Sequence, residues 1–457
     1  HAEEAGDVEA DPVTPTLNDL ITGAVALAGG DSTANGGRLW QSEGGRTCPL
    51  GWDDCSQPVF VDLASGELKK RSYWSPEPLA DGGNSWQAEL DHAIALRTAA
   101  DRPVGLFLSS GIDSTVLASR LAEQGYRNIE TFTAAFADPA MDESGRAAAI
   151  ADRLSMHNTR VPMPADPAAE FSRIVADLDE PFADPSSFPT WYLARAAVES
   201  VKVVLCGDGG DELFAGYKRY RQHLRSAWRR HLPTIGALRP AAAVCPSKRQ
   251  RLALEASLSW IDAYPLRFSG IGLSERAALQ PSFAVDAHYW RISTDLAERS
   301  PIEQLQAIDT DNYLPEYILR KADLLTMAHG LEGRAPLLDH VFVGRVQAMP
   351  AAERFTHPAK QALAGICLQA DEFAFFSHKK MGFNPPVASL LQALQGRFDG
   401  LPERLEKLTQ GQLSAMGLNE AVRQWRSDKS RGEQLLQLLI LDESLLQLQA
   451  LAETAHG

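Results

Sequence analysis

The chain has 457 residues, 44% hydrophobic and 23% charged, with a formal net charge of −15. That length allows two or three domains with real cores, and the composition is that of an ordinary soluble globular protein. The acidic balance argues against a general nucleic-acid binder, and no run of the sequence reads as long enough for a membrane span.

The chain opens His1-Ala2-Glu3-Glu4, which is acidic and unlike a secretion signal, and His in place of Met points to a processed or cut chain. Five cysteines, an odd number without zinc spacing, read as reduced thiols of a cytoplasmic protein, with Cys206 a small buried residue. Residues 1–16 are acidic and Pro-rich and read as a disordered tail. Residues 17–58 are punctuated by Gly-Gly pairs and read as irregular, and Val59–Leu63 followed by Glu67–Trp74 reads as a β-hairpin. Residues 76–83 read as a linker, and Trp86–Ala99 as a helix. From Arg102 the pattern alternates. Strands are expected at Val104–Leu108, Glu130–Phe136, Thr159–Pro162 and Val201–Cys206. Helices are expected at Ser114–Glu123, Glu143–Leu154, Ala168–Leu178 and Thr190–Val198. Such alternation predicts an α/β fold, a parallel sheet with helices on both faces. Beyond Tyr217 the chain reads as helical, most clearly at Val341–Met349, Gln361–Gln369 and Glu433–Leu451.

Two acidic loops stand out, each after an apolar run and before a helical one: Leu108-Ser109-Ser110-Gly111-Ile112-Asp113-Ser114 and Gly207-Asp208-Gly209-Gly210-Asp211-Glu212. In an open α/β sheet such loops meet at the carboxyl edge, where ligands bind. Hydroxyls and free backbone N–H groups at a helix start cradle phosphate, and two aspartates at the rim can hold Mg²⁺ against phosphate oxygens. Asp113 and Ser114 would equally serve as plain helix caps.

The first loop resembles the pyrophosphatase-type phosphate loop, usually Ser-Gly-Gly-x-Asp-Ser, with Ser110 where Gly is commoner. The run Gly207–Tyr217, the block Lys321–Asp339 and the stretch Lys380-Met381-Gly382-Phe383-Asn384-Pro385-Pro386 resemble motifs of the asparagine synthetase family, over about residues 59–457. The resemblance implies a nucleotide-binding core at about 84–225, a helical part at about 226–457, and a worn amidotransferase remnant at 17–75. It implies ATP cleavage to an acyl adenylate and pyrophosphate, then attack by ammonia or an amine. Its roles fall on Ser109, Ser110, Gly111, Asp113 and Ser114 for pyrophosphate, and on Asp113 and Asp211 for Mg²⁺. Adenine would lie against backbone near Leu108, Ala134 and Gly207. Lys380 would offset phosphate charge, Asp208 would serve as base, and Asp323 would bind or orient the acyl substrate.

Glu332, Arg334 and Asp339 read as structural, His329 as a packed histidine, and Lys360 as a structural lysine at a helix start. In the family the position of Asp208 is often Glu in asparagine synthetases and Tyr in β-lactam synthetases. No Cys opens the chain, so glutamine hydrolysis is not expected of it; a separate glutaminase or a peptide partner would fit. The alternatives are a macrolactam- or β-lactam-forming cyclase and a uronate-amidating enzyme. Neither a nucleic-acid nor a membrane partner is expected, and a dimer is compatible with the sequence.

Overall fold

The computed structural model describes two short strands at 59–61 and 68–70, then residues 85–236 (less 140, 165 and 167), 247–268, 273–280, 298–367 and 387–455, with a few isolated positions besides. The expected tail, most of the expected amidotransferase remnant, and Lys380 lie outside the described residues. Strands β1 (Val59–Val61) and β2 (Leu68–Lys70) pair antiparallel, Val59 opposite Lys70, where the sequence predicts a hairpin.

Helix α1 (Trp86–Thr98) starts where the Ser85 side chain accepts the Ala88 N–H, and it buries Leu90, Ala93 and Ile94. Then β3 (Val104–Phe107), α2 (Ile112–Glu123), β4 (Glu130–Ala135), α3 (Ser144–Arg153) and β5 (Asn158–Pro162) alternate. They are followed by α4 (Phe171–Asp177), α5 (Ser187–Ala197) and β6 (Val203–Leu205). With the edge strand β7 (Glu332–Arg334) included, the strand order is β5-β4-β3-β6-β7, with every pairing parallel. Chain order therefore reverses between β3 and β6, and their carboxyl ends flank the crevice where such sheets bind ligands. The all-apolar run of β6 is buried along its length, because a central parallel strand is covered on both faces.

Helices α6 (Gly210–Leu213), α7 (Lys218–Leu224), α8 (Ser247–Ser257) and α9 (Pro301–Ile308) come next. A π-helix then runs from Asp309 to Leu319 and passes into α10 (Arg320–Met327). The edge strand β7 (Glu332–Arg334) was not expected: its Glu-Gly-Arg sequence has no apolar signal, yet it pairs with β6, Gly333 opposite Val204. The remaining helices used below are α11 (His340–Ala348), α12 (Gln361–Gly365), α13 (Leu401–Leu408), α14 (Ala415–Ser427) and α15 (Gly432–Ala455).

Leu90, Leu117, Phe342 and Leu363 form one core on one face of the sheet, while Leu193 and Ala197 of α5 pack with Phe132 and Val204 on the other. A third core joins α4 and α5 to α13, α14 and α15 through Phe171, Trp191, Leu405, Trp425 and Leu439. Each such large side chain contributes about 1.5–3 kcal/mol on burial, so the helical part is firmly joined to the sheet. One expectation is overturned here. Helix α15 has 24 residues, and an 18-residue stretch within it, with a mean hydropathy of 1.3, is long and apolar enough for a membrane span. It is nonetheless a core helix: Leu436, Leu439 and Leu445 are buried, and both oxygens of its buried Asp442 accept from Arg404 at 2.8 Å.

Candidate active site

The β3–α2 loop is closed on itself. The Ser109 N–H donates to Ser114 Oγ at 3.0 Å, the Gly111 N–H donates to Ser109 Oγ at 3.1 Å, and the two serine hydroxyls lie 2.9 Å apart. The hydroxyls expected to hold pyrophosphate therefore first shape the turn that presents it. Ser110 donates its hydroxyl to Glu143 at the start of α3, 2.8 Å away. Its side chain is thus drawn toward α3, which explains why a residue larger than Gly fits. Leu108 ends the strand: its N–H donates to Phe132 O at 2.9 Å, and its carbonyl accepts from Thr133 Oγ1 at 2.7 Å. Ala134 lies one residue further along β4, so the positions expected to line adenine share one edge.

The β6–α6 loop packs directly on this turn. Gly207 leaves no room for a side chain, since a Cβ there would sit 3.0 Å from Asp113 Cβ and 3.1 Å from the Ser114 nitrogen. At Gly210 a Cβ would come within 2.2 Å of Asp113 Oδ1. Gly209, at φ +95°, turns the chain in the left-handed region and would place a Cβ 2.2 Å from Leu338. Two loops separated by about a hundred residues are thereby brought into backbone contact.

Lys360 joins the two loops. Its Nζ lies 2.5 Å from Asp113 Oδ2 and 2.5 Å from Asp211 Oδ1. The lysine is buried at 4% exposure and precedes α12 with φ +63°, a left-handed geometry uncommon for a residue with a side chain. From the sequence it reads as a structural lysine at a helix start. What the sequence does offer is the pair of rim aspartates, which need a counter-cation when no ligand is present; nothing near Lys360 identifies it as that cation.

Asp208 lies in the same loop, within reach of the charges of Lys321, Asp113 and Asp211. Burial raises its carboxyl to about 6, the charges of Asp113 and Asp211 add to the rise, and Lys321 opposes it. Lys321, the first residue of the Lys321–Asp339 block, is itself held by Asp184 Oδ2 at 2.8 Å and Ser186 Oγ at 2.7 Å. Glu212 turns inward and accepts from the Tyr217 hydroxyl at 2.6 Å; burial, then Asp211, raises it to about 8. At neutral pH it is mostly an uncharged acid, which spares the site a further negative charge.

Asp323 lies on α10, half-buried, and burial raises its pKa. Among the described residues its carboxylate has no ion pair or hydrogen bond. The other positions are architectural. Asp339 caps α11 through the Val341 and Phe342 N–H groups and pairs with Arg97 at 2.6 Å. Arg334 pairs with Glu332 at 2.8 Å and donates to the carbonyls of Arg97 and Ala99. His329 packs edge-on against Trp191 with ring centroids 4.6 Å apart.

A donor set of two carboxylates converging on one cation, at the rim of a loop lined with hydroxyls, suits a hard dication bound jointly with phosphate. Among the described residues no three metal-ligating side chains converge, so such an ion would take its other ligands from phosphate and water.

A family model described as asparagine synthase matches residues 85–453. A putative glutamine-hydrolyzing asparagine synthetase of Mycobacterium bovis is 32% identical over 323 residues, covering 67% of this chain and 48% of that protein. The protein named glutamine-hydrolyzing asparagine synthetase 1 of Bacillus subtilis is 29% identical over 314 residues, covering 66% and 49%. A Penicillium rubens protein named amidase chyE is 26% identical over 336 residues, covering 64% and 49%. The chain thus spans about half the length of these curated relatives. With a five-stranded parallel sheet, two acidic loops joined at its switch point, and a match that takes in both, the chain belongs to the asparagine synthase family.

Proposed function

We propose that this chain is an ATP-dependent ligase that activates a carboxylate as its acyl adenylate, releases pyrophosphate, and passes the acyl group to ammonia or an amine. The observation that carries this reading is the ammonium of Lys360 seated between Asp113 and Asp211 at the mouth of the phosphate loop. Three carboxylates of one site, Asp113, Asp208 and Asp211, surround a cradle of hydroxyls and backbone N–H groups; a triphosphate would not enter without cations. Lys360 supplies one charge, and Asp113 and Asp211 would hold Mg²⁺. The ion, when bound, would neutralise charge on the departing pyrophosphate. Ser109, Gly111, Ser114 and the backbone N–H of Ser110 then position that group, and Lys380 offsets charge on the α-phosphate.

The acyl carboxylate attacks in line with the leaving group, so orientation and charge stabilisation carry the step. In the second step the nitrogen must lose protons. Asp208, with its pKa raised to about 6 by burial, is mostly ionised at neutral pH and close enough to it to act as the base. Asp323 would receive an ammonium or another cationic group of the acyl substrate, its half-buried carboxylate lacking a cation among the described residues. Aspartate is the first acid to try. A peptide carboxylate or a uronate would use the same adenylation chemistry.

ATP–pyrophosphate exchange tests the reading. Exchange stimulated by a carboxylic acid, with AMP as the nucleotide product, is expected. Release of ADP and orthophosphate instead would overturn it.

A further inference from the structure

The stretch 213–254 carries ten Lys and Arg and no Asp or Glu, in a chain whose formal net charge is −15. It begins inside the signature loop and leaves the site through α7, whose N-cap is Tyr217, the residue hydrogen-bonded to Glu212. Several of its cations are consumed internally. Arg219 pairs with Asp309 at 2.7 Å, and Arg229 with Glu255 at 3.8 Å. Lys218, Arg221 and Arg225 are not: all three are exposed, and among the described residues no carboxylate forms an ion pair with any of them. Their spacing of i, i+3 and i+7 puts them on one face of α7 and its continuation.

The same stretch exposes large apolar groups where the chain turns toward α8. Trp228 is 64% and Leu252 69% exposed, and Leu232 and Ile235 are each more than half exposed. These groups belong to one packed unit, because the Ile235 N–H donates to Ala256 O of α8 at 3.0 Å and Arg229 bonds to Glu255. Exposed Trp beside Arg is the composition of interface anchor points rather than of a merely solvated face.

We propose that this face docks an acidic peptide segment, carboxylates along Lys218, Arg221 and Arg225 and apolar side chains against Trp228 and Leu232. The proposal rests on the ligase reading above and deepens it: the segment would deliver its carboxylate to the phosphate loop along a track that starts at that loop. Charge complementarity selects an anionic partner. The aliphatic groups at the far end select a peptide over a nucleic acid, and the track's origin at the reacting site selects a carboxylate-bearing chain over a bilayer.

The test is fluorescence anisotropy of the full chain with a labelled synthetic peptide alternating Glu with Leu. Saturable binding is expected. It should weaken at least tenfold in Lys218→Glu/Arg221→Glu/Arg225→Glu and several-fold in Trp228→Ala, and stay unchanged in Arg423→Glu, on the exposed face of α14. No saturable binding overturns the proposal. So does equal loss in Arg423→Glu, or binding of an equally charged RNA oligomer or anionic vesicle that matches the peptide and survives Trp228→Ala. The assay needs no turnover. A failed exchange assay therefore leaves the docking face standing, and failed peptide binding leaves the ligase reading standing.

Discussion

Two buried charge clusters, one around Lys360 and one around Arg219, are built on opposite plans. Around Lys360 one ammonium meets two carboxylates, and Asp208 is close enough to feel both. Around Arg219 one guanidinium meets one carboxylate, Asp309, whose Oδ2 also accepts from the Tyr264 hydroxyl at 3.0 Å. The second cluster is roofed by aromatic rings: the Arg219 guanidinium carbon lies 3.5 Å from the Tyr217 ring centroid, 4.3 Å from Tyr313 and 4.4 Å from Phe268. It is balanced in charge and sealed by faces that attract cations. The first has an excess of negative charge and sits at a sheet edge. A sealed, neutral cluster stabilises architecture. An open, unbalanced one is completed by what binds to it.

Substitutions can break this contrast. The largest effect is expected from Lys360→Met, which should slow ATP–pyrophosphate exchange about 1000-fold, the upper range for losing one stabilising charge. Activity within tenfold of the parent would move the lysine out of the site. Arg219→Met should instead act on stability. It strands Asp309 in a dry pocket at a cost of about 3–5 kcal/mol, readable as a lowered denaturant midpoint. Residual folded protein should still bind ATP. Asp208→Asn should lower amide formation about 100-fold while sparing exchange, since it removes a base and not the cradle. In the parent, the rate of amide formation should fall as pH drops below about 6, where Asp208 takes up a proton.

His223 gives a smaller effect, visible in pH dependence. Burial, together with the Arg267 charge, pulls its pKa to about 4, against the Trp260 carbonyl that its Nε2 meets at 2.8 Å. The folded chain therefore binds fewer protons than the unfolded one. That contribution to stability is complete above about pH 6.5 and is lost as pH falls toward 4. His223→Gln should flatten the change in melting temperature between pH 7 and 4.5. A slope equal to the parent's would show the ring already titrates normally. Smallest of all, Ser110→Gly should change the exchange rate no more than about threefold, because Glu143 already holds the hydroxyl aside.

The central strands and their helices were legible because buried parallel strands are written as apolar runs and the covering helices as periodic ones. The phosphate loop and the Gly207–Glu212 turn were legible for a different reason: glycines mark where backbones must touch, here Gly207 against Asp113. Three features left no local trace. Strand β7 is an edge strand of charged and small residues, fixed only by its register on β6. Lys360 meets Asp113 across 247 positions of chain, and its flanking alanines read as an ordinary helix start. The π-helix begins Asp309-Thr310-Asp311-Asn312 and includes Pro315, a sequence with no periodic signal of its own. Each is set by contacts made only after the sheet has formed.

That wide helix has a consequence for how the gene can vary. Asp309 at its start is tied to Arg219, and it runs without a break into the segment bearing Lys321 and Asp323. Each residue added to or taken from an α-helix turns everything downstream by about 100°, and a residue of the wider π turn rotates it by somewhat less. Losing a single codon between 310 and 319 would therefore leave every motif intact on paper while swinging Lys321 away from Asp184 and Asp208. Insertions and deletions there should be far less tolerated than substitutions.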